Sequence, residues 1–316
     1  MSTDAYEPTG RVWPTRGVEP AALAALARDL PASELWSLLL FVAEQRAAVR
    51  KPAGLLQQYE QDRFVGPACV DQRTQLEFDR HLFAAAGQFE ALELAPMAPL
   101  GVCSVIAPTS QNRVVTTVRG AEVVSDPTNV LALESARRLR ADPASVVKLA
   151  TSHRCVRAQA VPKQPGFAAH FRLFCLTSAG REAKDQAFTV DSFVEHVRVH
   201  LSALDRLERH GYLFPNRAIQ VLSTDRGRAL AERIIASLSD VSNDIAHQAL
   251  TKTYYDGLRF TISARSSSGA TVPLIDGGAF DWVAKLAANR KFVFVASAIG
   301  SQLAAQLFRT SISTSE

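Results

Sequence analysis

The stretch that most constrains this chain is residues 192–210. Phe193, Val197, Leu201, Leu204 and Leu207 recur there at helical spacing, and Ser192 with Glu195 has the form of a capping box. An amphipathic helix of that length needs a broad apolar surface to lie on. The segments on either side supply one. Val146–Gln159 and Ala169–Leu176 read as antiparallel strands, and Ala218–Leu222 and Phe292–Ser297 as further strands. Thr253–Ala264 and Thr271–Leu274 flank Ser266-Ser267-Ser268-Gly269 as a hairpin. Mostly antiparallel strands with helices segregated between them indicate an α+β fold.

The remaining segments complete that order. Helices are expected at 20–29, after Pro20, and at 33–49, where Leu35, Leu38, Leu39 and Val42 share a face. Pro52, Gly54, Gly66 and Pro67 mark a connection, so residues 1–70 read as an N-terminal helical appendage and 71–316 as the main domain. In that domain a helix is expected over 72–86, with strands at Phe89–Leu94, Val102–Ile106, Arg113–Thr117 and Ala121–Val124. Asn129–Leu139 reads as a helix. Two helices are expected between Leu222 and Leu250, another at Phe280–Ala288, and a last one at Gly300–Phe308.

With 316 residues, 47% of them hydrophobic, the chain can build a sizeable core. The net charge of +4 permits nucleic-acid contact without arguing for it. Cys69, Cys103, Cys155 and Cys175 form no C-x-x-C pair, which suits reduced thiols. Met1–Arg11 is polar and unlike a signal peptide, and no apolar run reaches membrane-spanning length. A cytoplasmic location without membrane contact is expected.

Five segments then fall in a recognisable order. They are the 72–86 helix with its strand and Pro96; Ser125-Asp126-Pro127-Thr128; Val156-Arg157-Ala158-Gln159 with Phe167–Leu176; Tyr254-Tyr255-Asp256-Gly257; and Gly277-Gly278-Ala279-Phe280-Asp281 with Ile299-Gly300-Ser301-Gln302-Leu303. Together they resemble the class II aminoacyl-tRNA synthetase catalytic domain, nearest to histidyl-tRNA synthetase and its paralogue, the ATP phosphoribosyltransferase regulatory subunit. The resemblance covers about residues 71–310. It implies an antiparallel sheet flanked by helices and a homodimer built through the first segment. It places Arg157 as the catalytic arginine, with Asp126, Thr128, Gln159, Arg172, Tyr254, Tyr255, Gly277 and Gly278 around the ligand.

The same resemblance implies an altered site. The family's adenine-holding acid corresponds to Gln159, and its arginine for the far phosphate to Leu303, which has no donor. Its histidine-binding Gln and Glu correspond to Arg172 and Leu176, and a further arginine to Leu250, although Lys252 is close by. Loss of one charged contact in such a site costs about 3 kcal/mol of transition-state stabilisation. The chain ends shortly after the last predicted helix, so an anticodon-binding domain is not expected. The resulting expectation is a regulatory or accessory subunit that binds a small anionic ligand or a partner protein, with tRNA not expected. The alternative is an ATP-dependent ligase of the aminoacyl-adenylate-forming type, with ATP and magnesium as cofactors.

The bland readings stand beside these. Tyr254 and Tyr255 suit cross-strand packing, Asp126 suits a helix cap, and Gly277 and Gly278 suit a tight turn into a helix. His196 and His200 have the spacing of a zinc pair but no third ligand, so they read as solvated or structural. Arg137, Arg138 and Arg140 read as a solvated face.

Overall fold

Seven strands between Val147 and Ile299, joined by the short strand Glu90–Ala91, pair into an eight-stranded sheet, and each of its two faces carries its own hydrophobic core. The computed structural model describes residues 19–161, 167–241, 244–252 and 254–310. Pro162, Pro165 and Gly166, predicted as a loop, lie outside the described residues.

Two units are distinguished by their internal packing. The smaller holds the chain up to Pro52 together with Val118–Gly120. Its described part contains α1 (Pro20–Ala24, with proline in the first turn) and α2 (Ala32–Ala48). Gly120 has φ +69°, and a side chain there would come within 3.1 Å of the Trp36 indole. No residue of α2 is buried, and Leu38, Phe41 and Val42 are exposed.

The larger unit contains α3 (Pro52–Gln61, all but its first residue), α4 (Gln72–Ala85), β1 (Glu90–Ala91), β2 (Met97–Pro99), β3 (Ala121–Val123), α5 (Pro127–Ala141), β4 (Val147–Val156) and β5 (His170–Arg181). It continues with α6 (Ala187–Glu208), β6 (Ala218–Ser223), α7 (Arg228–Ser237), β7 (Asp244–Ala249), β8 (Leu258–Arg265), β9 (Thr271–Phe280), α8 (Trp282–Leu286), β10 (Phe292–Ile299) and α9 (Ser301–Leu307). The sheet order is β1-β4-β5-β10-β9-β8-β6-β7. All pairings are antiparallel except β1 with β4 and β6 with β7.

Strand pleating assigns the cores. Phe174 and Leu176 of β5 join Phe78, Leu82, Phe193, Val197 and Phe260 in a core that includes α4, α6, α7 and α9. Cys175 and Ala179 join Leu131, Leu139, Leu149 and Trp282 in the other, which includes α5 and α8.

Several predicted elements differ. Val102–Ile106 is a π-helical turn and not a strand, because the Glu122 carboxylate gathers the N–H groups of Gly101 and Cys103 at 2.8 and 3.0 Å. Residues 52–61, read as part of a connection, are helical. The second helix expected before Leu250 is the edge strand β7. The helix α6 begins at Ala187, so Ser192 lies buried inside it and forms no cap; Glu182 instead accepts from the Thr189 hydroxyl near its start. Of the predicted strand Phe89–Leu94, only Glu90–Ala91 pairs. The strand β9 runs on to Phe280, so Gly277 and Gly278 lie inside it and not in a turn.

Candidate functional site

A cleft of about 620 Å³ opens between the start of α5, the end of β4, the turn before β8, and strands β9 and β10. Arg157, Asp126, Thr128, Gln159, Tyr254, Tyr255 and Gly277 all line it, so most of the residues singled out in the sequence converge on one cavity.

The arginine is held from several sides. Arg157 follows directly on β4, and its N–H bonds to the Ala169 carbonyl at 2.9 Å. Its Nε donates to the Ser125 carbonyl at 2.9 Å, one Nη lies 3.6 Å from the Asp126 carboxylate, and the guanidinium sits 5.1 Å over the Phe171 ring. Asp126 also caps α5, accepting from the Thr128 N–H at 3.0 Å and the Thr128 hydroxyl at 2.7 Å. Asp126 thus caps the helix with Oδ1 and turns Oδ2 toward Arg157.

The opposite wall is aromatic. Tyr254 and Tyr255 precede β8 and meet edge-to-face at 5.0 Å, and Tyr254 also packs against Phe280 and Trp282. Burial pushes both phenols well above their ordinary range; the Asp276 carboxylate adds to the effect on Tyr255. Arg259 grips Asp276 with two parallel hydrogen bonds of 2.9 and 2.8 Å and lies 5.1 Å over the Tyr255 ring.

The two glycines matter as missing side chains. A Cβ on Gly278 would lie 2.4 Å from the Tyr255 ring and 2.6 Å from the Leu258 carbonyl oxygen. One on Gly277 would strike Phe260 and Ser297, each at 2.6 Å. Gly277 lines the cleft; Gly278 does not, and its role is to let Tyr255 lie flat on the sheet.

Arg172 is separated from the cleft. It points into the opposite face, 3.5 Å from the buried Asp79 carboxylate and 3.3 Å from the Ser152 carbonyl. Its neighbour Leu173 lines the cleft instead. Leu176 likewise lies in the α4–α6 core, so the correspondence of Arg172 and Leu176 with pocket residues fails by one residue, which in a strand means the other face. Leu250 is buried, while Lys252 lines the cleft.

Two cations of the site, Arg113 and Arg259, were not singled out from the sequence, and Lys252 was noted only as a neighbour of Leu250. Arg259 had a readable signal, a cation inside an apolar strand next to another strand that carries the lone acid Asp276. Arg113 had none, since a loop brings it in, with its carbonyl accepting from the Ala158 N–H at 2.8 Å.

His196 and His200 lie outside this set. Both are buried and flank the Ser297 hydroxyl at 2.9 and 2.8 Å, and His196 also meets Ser178 at 3.0 Å. Among the described residues no group of three His, Cys, Asp or Glu side chains could hold a metal ion. The two cleft carboxylates are each turned to an arginine. Elsewhere, Arg137 and Arg138 of α5 pair with Glu134, and Arg138 also with Glu90 of β1.

No family model matches the sequence, and no curated protein matches it. Solved structures do match in fold. The ATP phosphoribosyltransferase regulatory subunit/histidyl-tRNA synthetase from Bacillus halodurans C aligns with a TM-score of 0.62 and 12% identity, over 77% of this chain and 81% of that one. Apo histidyl-tRNA synthetase from S. aureus gives 0.55 and 13%, over 74% of this chain and 64% of that one. The histidine–tRNA ligase subunit from Alicyclobacillus acidocaldarius gives 0.54 and 13%, over 76% and 94%. The mixed sheet flanked by helices is a class II synthetase-like fold.

Proposed function

We propose that this chain is a synthetase-like paralogue that binds a small anionic ligand in the cleft and acts as a regulatory or accessory subunit for another protein. The observation that carries this reading is the composition of the cleft: Arg113, Arg157, Lys252 and Arg259 against only Asp126 and Asp276. A wall rich in cations and aromatic rings favours a compact anion over an uncharged or cationic ligand. The nearby helix α9, with the sequence SQLAAQL, holds no cation that could grip a distal phosphate.

The test is a thermal-shift screen of the full chain with inorganic phosphate, simple carboxylates, histidine and ATP. An anion that raises the melting temperature of the natural chain, and loses that effect in R157A, supports the reading. No shift with any anion overturns it.

A second reading is an adenylate-forming enzyme. It is favoured by the convergence of Arg157, Asp126 and Tyr254 on one cavity. Amino-acid-dependent exchange of pyrophosphate into ATP would establish that reading and displace the first. A homodimer formed through α4 and β1, the elements that resemble the family's dimerisation segment, belongs to both readings; sedimentation at the mass of one chain would exclude it.

A further inference from the structure

We propose that the cleft selects a small dianion, either a phosphate monoester or a dicarboxylate, over a zwitterion or a monoanion. This rests on the reading of the cleft as an anion site and narrows it. Four cations against two carboxylates leave an excess of two positive charges on the lining.

The excess is unevenly placed. Arg259 is fully engaged by both oxygens of Asp276, and Arg157 leans on Asp126 and the Ser125 carbonyl. Arg113 and Lys252 make no side-chain hydrogen bond or ion pair among the described residues. Both are solvent-exposed, so folding supplies no counter-charge for either.

A second observation points the same way. Asn129 is 1% exposed and lines the cleft, yet its side-chain N–H group has no acceptor. A buried donor left unmet carries its full desolvation penalty, which a ligand oxygen would relieve. Asn129 sits in the first turn of the 15-residue helix α5, whose positive end reaches the cleft through Thr128 and Asn129.

A zwitterion fits this lining poorly. Its ammonium would need a carboxylate with free lone pairs, but Asp126 already accepts from Thr128 twice and faces Arg157, and Asp276 is clamped by Arg259. A monoanion would leave one excess charge without a partner. Two negative charges neutralise the lining.

The experiment is calorimetric titration of the full chain at about pH 8, where a phosphate monoester is doubly ionised. The probes are phenyl phosphate, isophthalate, benzoate and histidine. At least one of the two dianions is expected to bind about tenfold or more tightly than benzoate, and more tightly than histidine. R113Q and K252Q are each expected to weaken the dianion about tenfold and benzoate much less. Both positions are exposed, so neither change threatens folding. Preference for phenyl phosphate identifies a monoester site and preference for isophthalate a dicarboxylate site. Equal binding of benzoate, or tighter binding of histidine, overturns the dianion proposal while leaving an anion site standing. No binding of any probe removes the anion reading itself.

Discussion

Ser297 is held between two buried imidazoles, and that arrangement sets a pH dependence. Burial keeps His196 and His200 neutral, depressing His200 to about 3; the neighbouring His200 adds to the effect on His196. In the unfolded chain an imidazole titrates near about 6.5, so between these values the unfolded state binds more protons. Stability present above about pH 6.5 is therefore lost as pH falls toward 3. His200 alone should remove about 2 kcal/mol by pH 5. Urea unfolding at about pH 7.5 and pH 5 should show a lower midpoint at the acid value, with a weaker drop in H200Q; equal midpoints would count against neutral buried imidazoles. The spacing of these histidines was visible in the sequence. That both turn to one serine on β10 was not, because 97 or more residues separate the partners. Gly278 makes a second prediction at this scale. G278A should destabilise by about 2 kcal/mol, since the Leu258 carbonyl cannot move out of the way as a side chain would. It should also displace Tyr255, a change readable in the near-ultraviolet dichroism.

At the level of elements, β5 shows how much rests on one residue of register. Its start and its antiparallel partner were legible, but it runs on to Arg181 beyond the predicted end at Leu176, and which alternate set faces the cleft was not legible. Both faces of the strand are buried, so the alternation of apolar and polar residues that normally distinguishes them is lost. Arg172 was placed in the cleft by its correspondence with the family's histidine-binding glutamine, and the strand's own pattern held nothing to correct that. Its true setting makes a clean test: R172M should lower stability by about 2 kcal/mol through loss of its contact with Asp79, yet leave ligand affinity unchanged. A loss of affinity without loss of stability would return Arg172 to the site. The same limit applies to β7. Its segment DIAHQA carries no strong strand signal, and only parallel pairing with β6 makes it a strand.

For the whole molecule, every residue lining the cleft belongs to the larger unit. Removal of residues 1–52 should therefore leave ligand affinity within about twofold in the same titration, since the contacts that determine the dissociation rate remain. A larger loss would assign part of the site to the smaller unit. The exposed apolar residues of α2 would be deleted with it, so the shortened chain should also be less prone to associate at high concentration, as light scattering can measure.

The sequence by itself determined the fold class, the order of most elements and the neighbourhood of Arg157, Asp126 and the paired tyrosines. Those features are written in local periodicity, helix caps and the collinear order of short segments, and each depends on residues a few positions apart. Tertiary structure alone decided which face Arg172 occupies, that Arg113 enters the cleft, and that Asn129 brings an unmet donor there. Those outcomes depend on strand register and loop paths that join residues distant in the sequence, such as Arg172 with Asp79, 93 positions away, and no local pattern encodes them.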